Sequence, residues 1–150
     1  MLFRSDESVK FLTQALPKRD AIAWTLQCLE NGSPFEASSK THAAIQATRA
    51  WLENSTEDHR RAAHVAAEAA GLGTPAGCLA LAVFFSGGSL GPKHLEHPIS
   101  PPDDLTGKAL AGALLLAAVG NEPENAASRL SAFVESGLAL ARDSSNPAKI

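Results

Sequence analysis

The sequence predicts an all-α fold, a compact single-domain bundle of about seven helices with two central apolar helices. Three observations carry that prediction. There is no tyrosine and little run-on Val, Ile or Thr, while alanine and leucine dominate, which favours helix on propensity. Gly and Pro punctuate the chain at helix-length intervals. Two stretches, "GCLALAVFF" and the segment Asp104–Val119, are apolar on nearly every side, as helices ringed by amphipathic neighbours should be. A short solenoid would need a repeat of about 34–45 residues, and none is present. The 150 residues suit one domain, with an ordered core over about 5–142 and a polar tail at 143–150.

The first helix is predicted over Asp6–Leu16, with Ser5 as N-cap, Val9, Leu12 and Leu16 at helical spacing, and Pro17 as its stop. The second, Arg19–Glu30, sets Ile22, Leu26 and Leu29 on one stripe and stops at Asn31-Gly32. Ser33-Pro34-Phe35 links it to the third, Ser38–Asn54, whose stripe is Ile45, Thr48, Trp51 and Leu52. The fourth starts at Ser55 or Thr56, followed by Glu57-Asp58, whose charges suit a helix N-terminus, and ends at Gly71–Gly73. Its inner face is expected to be Ala62, Ala63, Ala66, Ala69 and Ala70, small enough for a neighbour to approach closely. The fifth opens at Thr74-Pro75, an N-cap followed by proline in the first turn, and is apolar through Phe85. A long loop, "SGGSLGPKHLEHPISPPDD", leads to the sixth, Asp104–Val119, which Gly120 ends. The seventh, about Pro123–Arg142, should turn Leu130, Phe133, Val134 and Leu138 inward.

Hydrophobic residues make up 45% and charged residues 19%, a globular balance. A net charge of −3 and a pI near 5.9 leave no basic excess, which argues against non-specific nucleic-acid binding and against acidic membrane surfaces as partners. The longest apolar runs, Leu79–Phe85 and Ala113–Val119, fall well short of the roughly 20 residues of a membrane span, so no membrane insertion is expected. The opening "MLFRSDESVK" lacks the apolar core of a signal peptide. Cys28 and Cys78 stand alone in apolar surroundings, without the paired spacing of a zinc site, and read as reduced buried thiols in a cytoplasmic protein.

The segment "AVFFSGGSLGP" at 82–92 asks whether Ser86-Gly87-Gly88-Ser89 cradles a ligand or ends a helix. A phosphate loop follows a strand and opens a helix; here a helix precedes the glycines, none begins after them, and Lys93 belongs to no recognisable motif. A glycine helix cap and turn is the commoner reading. The loop from Ser86 to Asp103 is long for a small helical domain, and such loops often carry function. Its prolines alternate with Leu90, Leu95 and Ile99, as in an extended strap whose apolar residues are pinned to the bundle. A plain crossover between core helices would look similar.

His94-x-x-His97 lacks a third metal ligand and lies among prolines. His59 and His64 diverge by roughly 140° on the fourth helix, whereas His64 and Glu68 share a face as an ordinary pair. Glu57 and Arg61 form an ordinary i, i+4 pair. G-x-S-x-G is absent, neither cysteine has a reactive signature, and no cofactor motif appears. Trp24 and Trp51 sit beside stripe positions, at the core or its margin.

The blocks "RRAA…AEAAG" (Arg60–Gly71), "TPAG…SGGS…P" (Thr74–Pro92) and "PP…L…A..GA.LLAA" (Pro101–Ala118), with an early helix at Ala23-Trp24, resemble a bacterial family of unknown function. The resemblance implies an all-helical domain with no assigned catalytic residues and relatives near type VI secretion genes. Where that family has an aromatic pair ending in Trp, this chain has Phe84-Phe85, without the indole N–H.

The leading expectation is a non-enzymatic adaptor that binds another protein through Ser86, Gly87, Gly88, Ser89, Leu90, His94, Leu95 and Ile99. A small-ligand or catalytic domain, with a pocket at Ser86, Ser89 and His94, is the first alternative. A homo-oligomeric scaffold using the alanine face of the fourth helix is the second.

Overall fold

A computed structural model describes residues 5–31, 39–92, 94, 96–120 and 122–144. Among these the chain forms seven α-helices and one 3-10 turn, and no strand. The helices are α1 (Ser5–Ala15), α2 (Lys18–Asn31), α3 (Ser39–Glu53), α4 (Glu57–Ala70), α5 (Pro75–Phe84), α6 (Leu105–Val119) and α7 (Ala126–Ser144), with the 3-10 turn at Pro123–Asn125 leading into α7. The fold is all-α, as the sequence predicts. The expected link Ser33-Pro34-Phe35 lies outside the described residues, as do Ser38, Lys93 and Leu95.

Local signals place the boundaries. The Thr56 hydroxyl accepts from the His59 N–H at 3.1 Å and starts α4. Thr74 does the same for α5 through the Gly77 N–H, with Pro75 in the first turn. Gly71 and Gly120, both at positive φ, end α4 and α6.

The core joins α1 and α2 (Val9, Leu12, Ile22, Trp24, Leu29) to α5 (Leu79, Val83) and α6 (Leu110, Leu114), all nearly or fully buried. Helix α5 packs against α3, α4 and α6, and α1 packs against α6 and α7. The buried Thr106 hydroxyl donates to the Ala82 carbonyl at 3.1 Å and fixes α6 on α5. Trp24 donates its indole N–H to the Phe133 carbonyl and the Ser136 hydroxyl, tying α2 to α7. Cys28 and Cys78 are free and buried.

Two faces differ from expectation. On α7, Leu138 is 38% exposed, and Gly137 takes the inward position. A Cβ on Gly137 would stand 2.7 Å from the Trp24 ring, so the indole fills the space a side chain would need. On α4, Ala62 and Ala69 point outward, while Ala63 and Ala67 are buried together with a charged residue, Arg60. That arginine rotates the inner face and sets the geometry of the loop.

Candidate functional site

Helix α5 ends at Phe84, leaving its last carbonyls without intrahelical donors. Arg60 on α4 supplies one. Its side chain is 4% exposed, and Nη1 donates to the Phe84 carbonyl at 2.5 Å while Nη2 donates to the Ser89 carbonyl at 3.0 Å. Glu57, one turn earlier, accepts from Arg60 Nε at 2.8 Å and Nη2 at 2.7 Å, so the buried guanidinium is paired and nearly saturated. The cation also lies 4.6 Å from the centre of the Phe84 ring, on which His64 is stacked at 4.1 Å. His64 in turn reaches the Glu68 carboxylate at 3.0 Å.

Arg61 extends the clamp. Its Nε donates to Glu57, and its Nη2 reaches the carbonyls of Gly91 at 2.9 Å and Ser89 at 3.4 Å. Glu57 therefore serves two guanidinium groups. Arg60 beside the carboxyl, opposed by partial burial and reinforced by Arg61, holds its pKa down from 4.5 to about 2.

Within the loop the two glycines have different duties. Gly88 takes φ +65°, and a Cβ there would lie 2.6 Å from Arg60 Nη2. Gly87 has no atom within 4 Å of where its Cβ would stand. The Ser86 hydroxyl donates to the Val83 carbonyl at 2.6 Å, part of the α5 stop. The Ser89 hydroxyl accepts from the N–H groups of Gly91 at 3.0 Å and Ile99 at 2.8 Å. Leu90 N–H donates to the Ile99 carbonyl at 2.7 Å, closing the loop at its base.

Between those anchors His94, Glu96, His97 and Pro98 are exposed, Ser100 beyond them is exposed, and Ile99 is 53% exposed. Leu90 is half-buried, so of the apolar residues expected to pin the strap, Leu90 does so and Ile99 does not. Leu95 lies outside the described residues. The loop is held by arginines and a serine instead. Of the residues the sequence singles out, Ser86, Gly88, Ser89 and Leu90 lie in this unit; Arg61 is expected there only as the pair partner of Glu57, and Arg60 is given no role. The usable signal was Glu57-x-x-Arg60-Arg61 on the helix just before a helix ending in "SGGS", whose orphaned carbonyls call for donors.

Two of the blocks that carry the resemblance, Arg60–Gly71 and Thr74–Pro92, thus meet in one hydrogen-bonded unit. A family model described as "Family of unknown function (DUF6931)" matches residues 4–141. The chain belongs to DUF6931. No curated protein and no solved structure matches it. In this DUF6931 member Phe84, first of the aromatic pair, sits under the Arg60 cation, and Phe85 lies 6.1 Å from it, ring to ring.

Elsewhere a cavity of about 340 Å³ lies between α2 and α7, lined by Gln27, Cys28, Asn31, Ser128, Arg129 and Ser136 among others. Burial pushes the Cys28 thiol up to about 11, against a smaller opposing effect of Ser136, so it is protonated at neutral pH. Among the described residues no three metal-ligating side chains converge, and no helix is long and apolar enough to cross a membrane.

Proposed function

We propose that this DUF6931 chain is a non-enzymatic protein-interaction module that docks a partner through the 86–103 strap. One observation carries the reading: the strap is clamped at its base by Arg60, Arg61 and Ser89, yet presents Ile99 and its flanking residues to solvent. A loop ordered in advance loses less entropy on binding, and a branched apolar side chain left more than half exposed on it has apolar surface to bury against a partner. The chain serves as a bacterial adaptor in the cytoplasm, a reducing setting that suits free Cys28 and Cys78. The resemblance adds a secretion apparatus as its setting. Immobilised wild type and Ile99→Ser, exposed to an extract of the source cells, test the reading. It expects a specific protein retained by wild type and lost by the variant, with circular dichroism unchanged. Equal capture by both removes the strap from the interaction.

A second reading, a small-ligand-binding or catalytic domain, is favoured by the cavity between α2 and α7. The Ser86 and Ser89 hydroxyls, first candidates for such a pocket, are engaged with backbone groups of the loop itself. A thermal-shift panel of nucleotides and metals checks this reading, because a ligand that binds the native state raises Tm.

A further inference from the structure

We propose that a partner reads residues 97–102 as a left-handed polyproline helix, in an aromatic-lined groove with a basic rim; the inference rests on the docking reading above. Pro98-Ile99-Ser100-Pro101-Pro102 leads across the Ile99 anchor toward α6, with no helix or turn assigned to it. Prolines fix φ near about −65° and push the residue before each of them out of the helical region, here His97, Ser100 and Pro101. The spacing Pro98-x-x-Pro101 places two pyrrolidine rings one polyproline turn apart, about 9 Å along the axis.

Hydrogen-bonding capacity separates this mode from addition of a strand to a sheet edge. The three prolines have no N–H, and the Ile99 N–H is already given to Ser89. Ser100 is then the one remaining backbone donor in five residues, too few for a β-ladder. The Ile99 carbonyl accepts from Leu90 and the Pro102 carbonyl from Leu105, whereas those of Pro98, Ser100 and Pro101 accept from no backbone N–H among the described residues. A surface of acceptors and proline rings is matched by indole N–H and phenol O–H donors set among aromatic faces.

Position and charge add to this. Pro98, Ser100 and Pro102 are exposed and Pro101 is half-buried, so the segment offers one side to solvent. Carboxylates stand at both ends, Glu96 and a fully exposed Asp103 that approaches Lys18 only at 3.7 Å. The groove that accepts the segment therefore carries Lys or Arg at its rim, and binding weakens as salt rises.

The test uses the full chain on a support, an extract of the source cells, and two competitor peptides covering residues 96–103, one with the natural sequence and one with Pro98 and Pro101 changed to Ala. A benzophenone side chain at position 100 maps the contact. The expected result is a captured protein whose affinity falls about tenfold or more for Pro98→Ala/Pro101→Ala. Capture should be competed by the natural peptide and not by its alanine version, with the crosslink among Trp, Tyr or Phe residues of the partner. Because the peptides need no folding, loss of strap order in the protein variant does not blur the outcome. If wild type and the proline variant capture a partner equally while Ile99→Ser loses it, the strap docks through its side chain and the polyproline mode is overturned. If wild type retains no specific protein, the docking reading fails and this inference fails with it.

Discussion

Alanine at Gly88 and at Gly87, adjacent and chemically identical changes, should have opposite consequences. At Gly88 the backbone sits at φ +65°, where a Cβ costs about 1–2 kcal/mol. The new Cβ also falls 2.6 Å from Nη2, 2.7 Å from Cζ and 2.8 Å from Nε of Arg60. A flexible side-chain tip usually moves aside at little cost. This one is 4% exposed and bonded to the Phe84 carbonyl, the Ser89 carbonyl and both Glu57 oxygens. Moving it gives up at least one charged hydrogen bond, worth about 1.5–3 kcal/mol. The sum is roughly 2.5–5 kcal/mol, or about 5–20 °C in Tm for a chain of this length. At Gly87 no atom lies within 4 Å and φ is not positive, so Gly87→Ala should be neutral or stabilise by about 0.4–1 kcal/mol through the unfolded state. Urea unfolding of both variants, followed by circular dichroism, reads the difference. A Gly88→Ala variant within about 0.5 kcal/mol of wild type, or two equal losses, would refute the clamp geometry.

Other outcomes follow from the same contacts. Arg60→Met keeps the apolar stem but leaves the Phe84 carbonyl without its side-chain donor, and the Ser89 carbonyl and Glu57 with Arg61 alone, so urea melts should show a loss of about 3–5 kcal/mol. Arg60→Lys should not restore it, because one ammonium cannot span those acceptors in the plane of a guanidinium. Glu57 contributes stability that is complete above its ordinary value of 4.5 and lost as pH falls through about 2. Since its carboxyl is two-fifths exposed, the contribution stays below about 1 kcal/mol, and Glu57→Gln should flatten the acid limb of a stability–pH curve between those values. Gly137→Ala drives a Cβ to 2.7 Å from the Trp24 ring and 2.9 Å from Leu12, an overpacking loss of about 1–3 kcal/mol measurable by thermal unfolding.

The helices were legible because apolar spacing and caps agree. Thr56 and Thr74 are hydroxyls at the required positions, and Val9, Leu12 and Leu16 recur as a buried stripe. The inner face of α4 was misread because Arg60 counts as polar in any periodicity, although Arg60, Ala63 and Ala67 at i, i+3 and i+7 form its buried stripe. What draws a guanidinium inside is a set of carbonyls at the end of another helix, 24 residues away in sequence for Phe84, and no local pattern reveals that pairing. Leu138 was misplaced for a related reason. A glycine adds nothing to an apolar stripe, so the inward position of Gly137, filled from α2 by Trp24, is silent in the sequence of α7. The "SGGS" turn was legible as a helix stop; its second glycine and second serine acquire their roles only when α4 is beside them.

The most direct test of a strap ordered by an arginine clamp is amide hydrogen exchange resolved by residue. Slow exchange is expected at Leu90, Gly91 and Ile99, whose N–H groups are bonded at the loop base, and fast exchange at Glu96 and His97. In Arg60→Lys the protection at those three residues should fall while that of α2 and α6 persists. Leu90 and Ile99 exchanging in wild type as fast as His97 would mean that no clamp orders the strap.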